Sequence, residues 1–381
     1  MSKKKLKIGI ITHNYPKTNK ERKDAGIFIF DFAHKLSKKF EVFILSPDFK
    51  GEKQVYKTVP VTWFFWRGDG EKFGGWSIFS PSSILKFVKL LFFGKNAVED
   101  FIRDNNLDYL LACWGLPSGV LAFWGTRKTK THYAIWSLGS DINKYANYPF
   151  LASLMRRSYS KADMLFANSQ LLCNKIEKLY NTNCTLLPAV TDFSKPKLTN
   201  IKIDKSVPQF LFVGRLEKVK GPDILIEGAN LLNQQGIEFM LHIIGDGSMK
   251  EQLEEMVKKY KLKRKVQFLG FADKNLIASY MKKVDYLVIA SRSESLPLVL
   301  IEAASCNLPV IASDVGDCRR IVEKYKVGDW FPSEDVPELC RALKRNMFIN
   351  SSEYRKNLSD LLNDYSQSVS VGKFIEMIQK K

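Results

Sequence analysis

The chain has 381 residues, 45% of them hydrophobic, which is enough to bury two cores and points to two domains. Lys and Arg number 59 against 40 Asp and Glu, a formal net charge of +19, so the surface attracts anions: nucleic acid, anionic lipid or phosphorylated substrates. Six scattered cysteines without a C-x-x-C pair, with only four histidines, argue against a structural zinc site and for a reducing, cytoplasmic compartment.

The chain opens with a short apolar strand, Lys7 to Thr12, too brief and too soon followed by polar residues to be a signal peptide. A loop from Asn14 to Gly26 leads to a helix expected over Ile27 to Lys38 and a strand over Glu41 to Leu45. Trp63 to Arg67 and Phe73 to Trp76 are aromatic-rich, and Ile84 to Lys95 interleaves bulky apolar residues with lysines. That last segment is too short to span a bilayer. It reads either as a helix lying in the membrane interface or as a core helix with two lysines on its wet side.

From Asp108 the chain is apolar as far as Trp124, but Gly115, Pro117, Ser118 and Gly119 interrupt it, so strand–turn–helix is expected rather than a transmembrane helix. Two further strands follow, around Ala134 to Ser137 and Asp163 to Ala167. The polar, proline-bearing stretch from Ser194 to Pro208 reads as a linker between two domains.

The second half is more informative. Phe210 to Val213 is a buried strand, Gly214 a turn, Arg215 and Lys220 two cations in the strand-to-helix loop, and Pro222 opens a helix. That loop lies on the face where α/β sheets bind ligands. Arg offers a fixed fork of donors and Lys a mobile charge, a pairing suited to two phosphate groups. Downstream, the strand Tyr286 to Ala290 precedes two carboxylates eight residues apart, Glu294 and Glu302, around an apolar run. With Ser295 as cap and Pro297 in the first turn, a helix is expected to start near Leu296 and to point its first N–H groups, through Leu298 and Val299, at an anionic ligand. Glu294 then sits in the loop and Glu302 nearly two turns into the helix, placed for a sugar and a ribose. The alternation of strands and helices implies doubly wound α/β architecture. Beyond Pro332, helical patterns run over Val336 to Lys344, Glu353 to Asp364 and Ser368 to Lys380.

Together these pieces resemble the retaining glycosyltransferases of family four, also described as glycosyl transferases group 1. Gly214-Arg215-Leu216, Lys220-Gly221, Ile243-Ile244-Gly245-Asp246-Gly247 and Glu294 to Glu302 follow that family's pattern in order and spacing, densely from about Phe210 to Glu323. The resemblance implies the GT-B fold, two Rossmann-like doubly wound domains facing across a cleft. It divides the chain into an acceptor-binding domain (1–195), a linker (196–208), a nucleotide-sugar-binding domain (209–355) and C-terminal helices (356–381) that return to the first domain.

By the same resemblance, Gly26, Gly214, Arg215, Lys220, Gly245, Glu294, Leu296, Pro297, Leu298, Val299 and Glu302 contact the donor, and Asp141 orients the acceptor or the transferred sugar. Aspartate capping of a helix is the competing explanation for Asp141. The chain departs from the family at Ala25, where a second glycine is usual, at Leu138, where histidine is common, and at Ala189-Val190.

The implied activity moves a sugar with retention from a nucleoside-diphosphate sugar to a hydroxyl of a lipid-linked or cell-surface glycan precursor. No metal or other cofactor is expected, since no D-x-D triplet occurs and the two cations and the helix start can carry the diphosphate charge. The first domain is expected to dock peripherally on the inner membrane face through the region 63–95. The alternatives are a catalytically degenerate GT-B protein and a GT-B nucleotide-sugar epimerase or phosphorylase. A nucleic-acid-binding protein is disfavoured by lysines spread along the whole chain.

Overall fold

In the computed structural model, residues 5–16, 26–48, 59–66, 80–193, 196–349 and 351–380 are described. Ala25, Arg67 and the stretch Phe73 to Trp76 lie outside the described residues. The chain divides into two compact units, one made of Met1–Thr191 with Ser370–Lys381, the other of Asp192–Val369.

The first unit begins with β1 (Lys7–Ile11), α1 (Ile27–Leu36), β2 (Glu41–Asp48) and β3 (Val61–Phe65). A long helix, α2 (Pro81–Asn105), then precedes β4 (Tyr109–Cys113), α3 (Val120–Thr126), β5 (His132–Ser137), α4 (Ser140–Asn143) and α5 (Pro149–Lys161). The sheet ends with β6 (Met164–Ala167), α6 (Gln170–Tyr180) and β7 (Thr185–Leu186). All seven strands are parallel, in the order β3-β2-β1-β4-β5-β6-β7, so the winding reverses between β1 and β4. Strands buried on both faces read as unbroken apolar runs, which is why Tyr109 to Cys113 looked like the start of a membrane span.

Helix α2 starts where Ser80 Oγ accepts the Ser83 N–H at 3.1 Å with Pro81 in the first turn, and stops at Asn106 in the left-handed conformation. At 25 residues it is twice the length expected, and long enough to cross a bilayer. Its charges forbid that: among the described residues no helix is both long and apolar enough to span.

The second unit contains β8 (Gln209–Val213), α7 (Pro222–Gln234), β9 (Met240–Ile244), α8 (Lys250–Lys259), β10 (Val266–Gly270), α9 (Lys274–Met281) and β11 (Tyr286–Ile289). It continues through α10 (Leu298–Ser305), β12 (Val310–Ser313), α11 (Cys318–Tyr325), β13 (Gly328–Phe331) and α12 (Val336–Phe348) to the short α13 (Ser352–Arg355) and α14 (Leu358–Asp364). Its six parallel strands run β10-β9-β8-β11-β12-β13, reversing between β8 and β11, where Phe210 pairs with Tyr286. Phe210, Leu225, Leu241, Ile243, Val288, Ile311 and Phe331 form its core.

The stretch read as a linker is pinned to this unit. Lys197 and Thr199 donate backbone N–H to Asn275 Oδ1 (3.0 Å) and Ser279 Oγ (2.7 Å), both on α9. The last helix, α15 (Gln367–Gln379), packs into the first unit: Ser370 Oγ donates to the Pro188 carbonyl at 2.9 Å, and Phe374 lies among Phe32, Tyr109 and Phe166.

Candidate functional site

In parallel doubly wound sheets, ligands bind outside the carboxyl ends of the strands where the winding reverses. In the second unit that point lies between the loop after β8 and the loop after β11. Gly214 turns the chain out of β8, its N–H bonded to the Ile244 carbonyl at 3.0 Å. Gly245, after β9, sits at φ 153°, and a Cβ there would lie 1.8 Å from the Gly214 carbonyl oxygen, so only glycine lets the two strand ends approach. The loop carrying Arg215 is then fixed from one side. The Leu216 N–H donates to the Asp246 carbonyl at 2.9 Å, and Glu217 accepts from the Ser248 hydroxyl (2.8 Å) and N–H (3.2 Å). The Arg215 guanidinium itself is exposed at the mouth of the sheet.

The next turn, Lys218–Lys220, ends at Gly221 in the left-handed region (φ 64°), where a Cβ would stand 1.9 Å from the Ala290 carbonyl oxygen at the end of β11. This close approach brings the two loops together. Lys220 Nζ meets Glu294 Oε1 at 2.5 Å, and Ser291 Oγ donates to the same oxygen at 2.9 Å. Two residues expected to hold opposite ends of one ligand are thus in direct contact.

A residue that the sequence reading passed over holds this junction. Arg292 makes paired bonds to Asp223 (2.8 and 2.7 Å), and contacts Glu334 at 2.7 Å and the Lys218 carbonyl at 2.6 Å. Its own N–H reaches the Val219 carbonyl at 2.9 Å. Burial pushes the Asp223 carboxyl up, but the paired Arg292 hydrogen bonds and charge overcome it and hold it below its ordinary range. A cation two residues before Glu294 was the available signal; its partner 69 residues upstream was not visible.

The helix after Glu294 differs from expectation. α10 begins at Leu298, Pro297 occupies the N-cap position with extended backbone, and Ser295 does not cap. The reason lies in the loop after β12. Gly316 (φ 55°) presses against the Ser295 carbonyl, which accepts the Asp317 N–H at 3.0 Å, and a Cβ on Gly316 would sit 2.3 Å from that oxygen. This contact holds Ser295 in a bend ahead of the helix. The helix therefore starts later, and its first N–H groups are those of Leu298 and Val299; the Leu300 N–H bonds to the Pro297 carbonyl at 3.1 Å. Leu296 and Pro297 are buried beneath this turn. Glu302 is the fifth residue of α10, just over one turn from its start instead of nearly two.

In the first unit the expected residues sit otherwise. Gly26 caps α1 and leaves no room for a side chain, since a Cβ would lie 1.7 Å from the Asn14 carbonyl oxygen. Asp141 is fully buried, and its carboxylate accepts the N–H groups of Gly115 (2.8 Å) and Gly139 (3.0 Å) and the Tyr159 hydroxyl (3.2 Å). Burial raises its pKa, and those hydrogen bonds oppose the rise. Asp141 thus ties the turn after β4 to the turn after β5. His13, next to the end of β1, lies 4.5 Å from the Trp114 ring, and burial pushes its pKa down to about 3, so it is neutral at physiological pH. No group of three or more potential metal ligands occurs among the described residues.

Residues 195–360 match the family described as glycosyl transferases group 1. The second unit is a group 1 glycosyltransferase domain. Over 222 residues the chain is 29% identical to a Campylobacter jejuni protein, N-acetylgalactosamine-N,N'-diacetylbacillosaminyl-diphospho-undecaprenol 4-alpha-N-acetylgalactosaminyltransferase, a match that covers 54% of this chain and 57% of that relative. The chain thus matches little more than half the length of this curated relative. Among solved structures, sucrose-phosphate synthase from Thermosynechococcus elongatus superposes with a TM-score of 0.76 at 16% identity, covering 99% of this chain and 100% of that one. Anabaena HepE, solved with UDP and glucose, gives 0.69 at 16% identity over 99% and 100%. The fold, two parallel doubly wound units in one chain, is that of the GT-B glycosyltransferases. In this domain Arg215, Lys220 and Glu294 all stand at the β8–β11 reversal.

Proposed function

We propose that the protein is a retaining, metal-independent glycosyltransferase of family four, moving a sugar from a nucleoside-diphosphate sugar to a hydroxyl of a lipid-linked or cell-surface glycan precursor. The observation that carries this reading is the meeting of Lys220 and Glu294 at 2.5 Å in front of the start of α10. A cation, a carboxylate and unsatisfied helix N–H groups converge there on a space suited to a sugar diphosphate.

Arg215, Lys220 and the N–H groups of Leu298 and Val299 bind the diphosphate and stabilise the charge that grows as its bond to the sugar breaks. Glu294 accepts hydrogen bonds from sugar hydroxyls and Glu302 from the ribose. The glycines Gly214 and Gly245 keep the floor of the site low enough for the donor. The acceptor oxygen forms its bond to the anomeric carbon on the face that the diphosphate leaves. The diphosphate departs with the electron pair of the broken bond and takes the acceptor's proton. No protein nucleophile is required, and the positive charge comes from Arg215, Lys220 and the helix start without a metal.

The acceptor class is taken from the Campylobacter relative, whose name specifies a diphospho-undecaprenol acceptor. The exposed face of α2 supports it: Ile84, Leu85, Val88 and Phe92 are all more than half exposed and alternate with Lys86 and Lys89, a composition suited to the cytoplasmic membrane surface. Binding of UDP-, GDP-, ADP- and CDP-sugars without metal, followed by thermal stabilisation, tests the donor assignment. One nucleotide is expected to stabilise the protein, and Glu302→Ala to abolish the shift. A folded protein that responds to none would be a degenerate GT-B protein.

A further inference from the structure

Helix α2 carries its exposed apolar row towards a second feature. At roughly 100° per residue, Ile84, Val88 and Phe92 share one helical stripe with Lys95 and Glu99. Lys95 and Glu99 line an open cleft of about 490 Å³, whose other walls are Trp124 on α3 and Arg127 and Lys128 just after it. The two helices pack along their lengths here, Gly94 and Gly125 making room for Leu121 and Val98. Three cations face one carboxylate. Lys95 and Glu99 are 3.8 Å apart, too far for a tight bond, and the Arg127 guanidinium lies 5.9 Å over the Phe123 ring, so the cleft keeps its positive character.

We infer that the cleft of Lys95, Trp124, Arg127 and Lys128 receives the phosphate of an anionic phospholipid headgroup when α2 lies on a bilayer. The geometry supplies what a headgroup needs: cations for the phosphate, an indole for the interface, and, one turn along the same stripe, side chains that enter the acyl region. A freely diffusing phosphate would have no use for that apolar row, which favours the lipid. Charge on a bilayer attracts any basic surface diffusely. A built headgroup site differs from that in being saturable and in reporting at Trp124. The inference rests on the membrane-docking reading of α2 above and adds a defined site to it.

The test uses the full chain, with intrinsic fluorescence titrated by monomeric dihexanoyl-phosphatidylglycerol, and Trp124→Phe to assign the signal. Sedimentation with phosphatidylcholine vesicles, with and without phosphatidylglycerol, runs alongside. A saturable Trp124 response is expected, absent in the surface double variant Arg127→Ser/Lys128→Ser, which should also lose about tenfold in binding to anionic vesicles. Vesicle binding without a Trp124 response would overturn the headgroup site while leaving the membrane reading intact, and Phe92→Ser/Leu85→Ser should then abolish that binding. Wild-type protein that ignores all vesicles would remove both. An equal Trp124 response to inorganic phosphate would make the cleft a soluble-anion site and overturn the lipid assignment.

Discussion

Lys220 and Glu294, 74 residues apart in sequence, neutralise each other across the mouth of the second unit's sheet at 2.5 Å. In the proposed donor complex the first belongs to phosphate and the second to sugar, so a bare nucleoside diphosphate must draw Lys220 away from its partner. Glu294→Gln frees the lysine. We expect the variant to bind nucleoside diphosphate roughly threefold to tenfold more tightly, since a part-buried pair is worth about 1 kcal/mol, while losing affinity for the nucleotide-sugar. Calorimetric titration with both ligands checks this, and a loss of affinity for both would end the explanation.

Arg215 stands exposed at the same mouth, held by backbone bonds on the Gly245 side. Arg215→Ala should lower kcat/KM by roughly 10- to 150-fold, the equivalent of about 1.5–3 kcal/mol of charge-assisted hydrogen bonding. Thermal stability should stay unchanged. Steady-state rates on the donor found by the nucleotide panel give the answer.

Arg292 acts on the site through other residues. Arg292→Ala leaves Asp223 without its paired partner and should destabilise the second unit by about 2–3 kcal/mol. The pH dependence has a definite sign. Asp223 is held below its ordinary value of 3.8, so the pair's stabilisation is complete above that pH and fades as pH falls through the lowered native value. Calorimetry between neutral and acid pH should show this acid loss in the wild type and a flatter profile in Arg292→Ala. Arg292→Lys should recover part of the stability but not the paired geometry.

Asp141 offers the opposite case, a carboxylate whose burial raises its pKa. Asp141→Ala strands the N–H groups of Gly115 and Gly139 and should cost the first unit about 2–5 kcal/mol. Donor binding by the second unit should survive. If Asp141→Ala instead folded normally and lost only sugar transfer, the scaffold role assigned to this residue would be wrong.

Much of this was legible because the local signals were strong. The buried strands Phe210 to Val213 and Tyr286 to Ile289 are apolar runs, and the turns after them need glycine or carry charge. Those signals placed Arg215, Lys220 and Glu294 in the loops at the strand ends. What escaped was long-range. Ser295 looks like a helix cap until Gly316 and Asp317, on another loop, claim its backbone. Asp141 reads in sequence as an acceptor-orienting acid or a helix cap, and its enclosure by Gly115 and Tyr159 has no local signal. Arg292 carries only a weak local mark, its place two residues before Glu294, because its importance lies in Asp223 and Glu334, one on each side in sequence. The length of α2 was hidden by the charges that break its apolar pattern in the middle.

Phe374, near the end of the chain, completes a cluster whose other members, Phe32, Tyr109 and Phe166, all come from the first half. The second unit is one unbroken stretch of sequence, whereas the first is interrupted by it. During synthesis the earlier unit must therefore wait, with an open seam beside Phe32 and Phe166, until the later one has been made and α15 has emerged. The order of completion on the ribosome is the reverse of the order of translation.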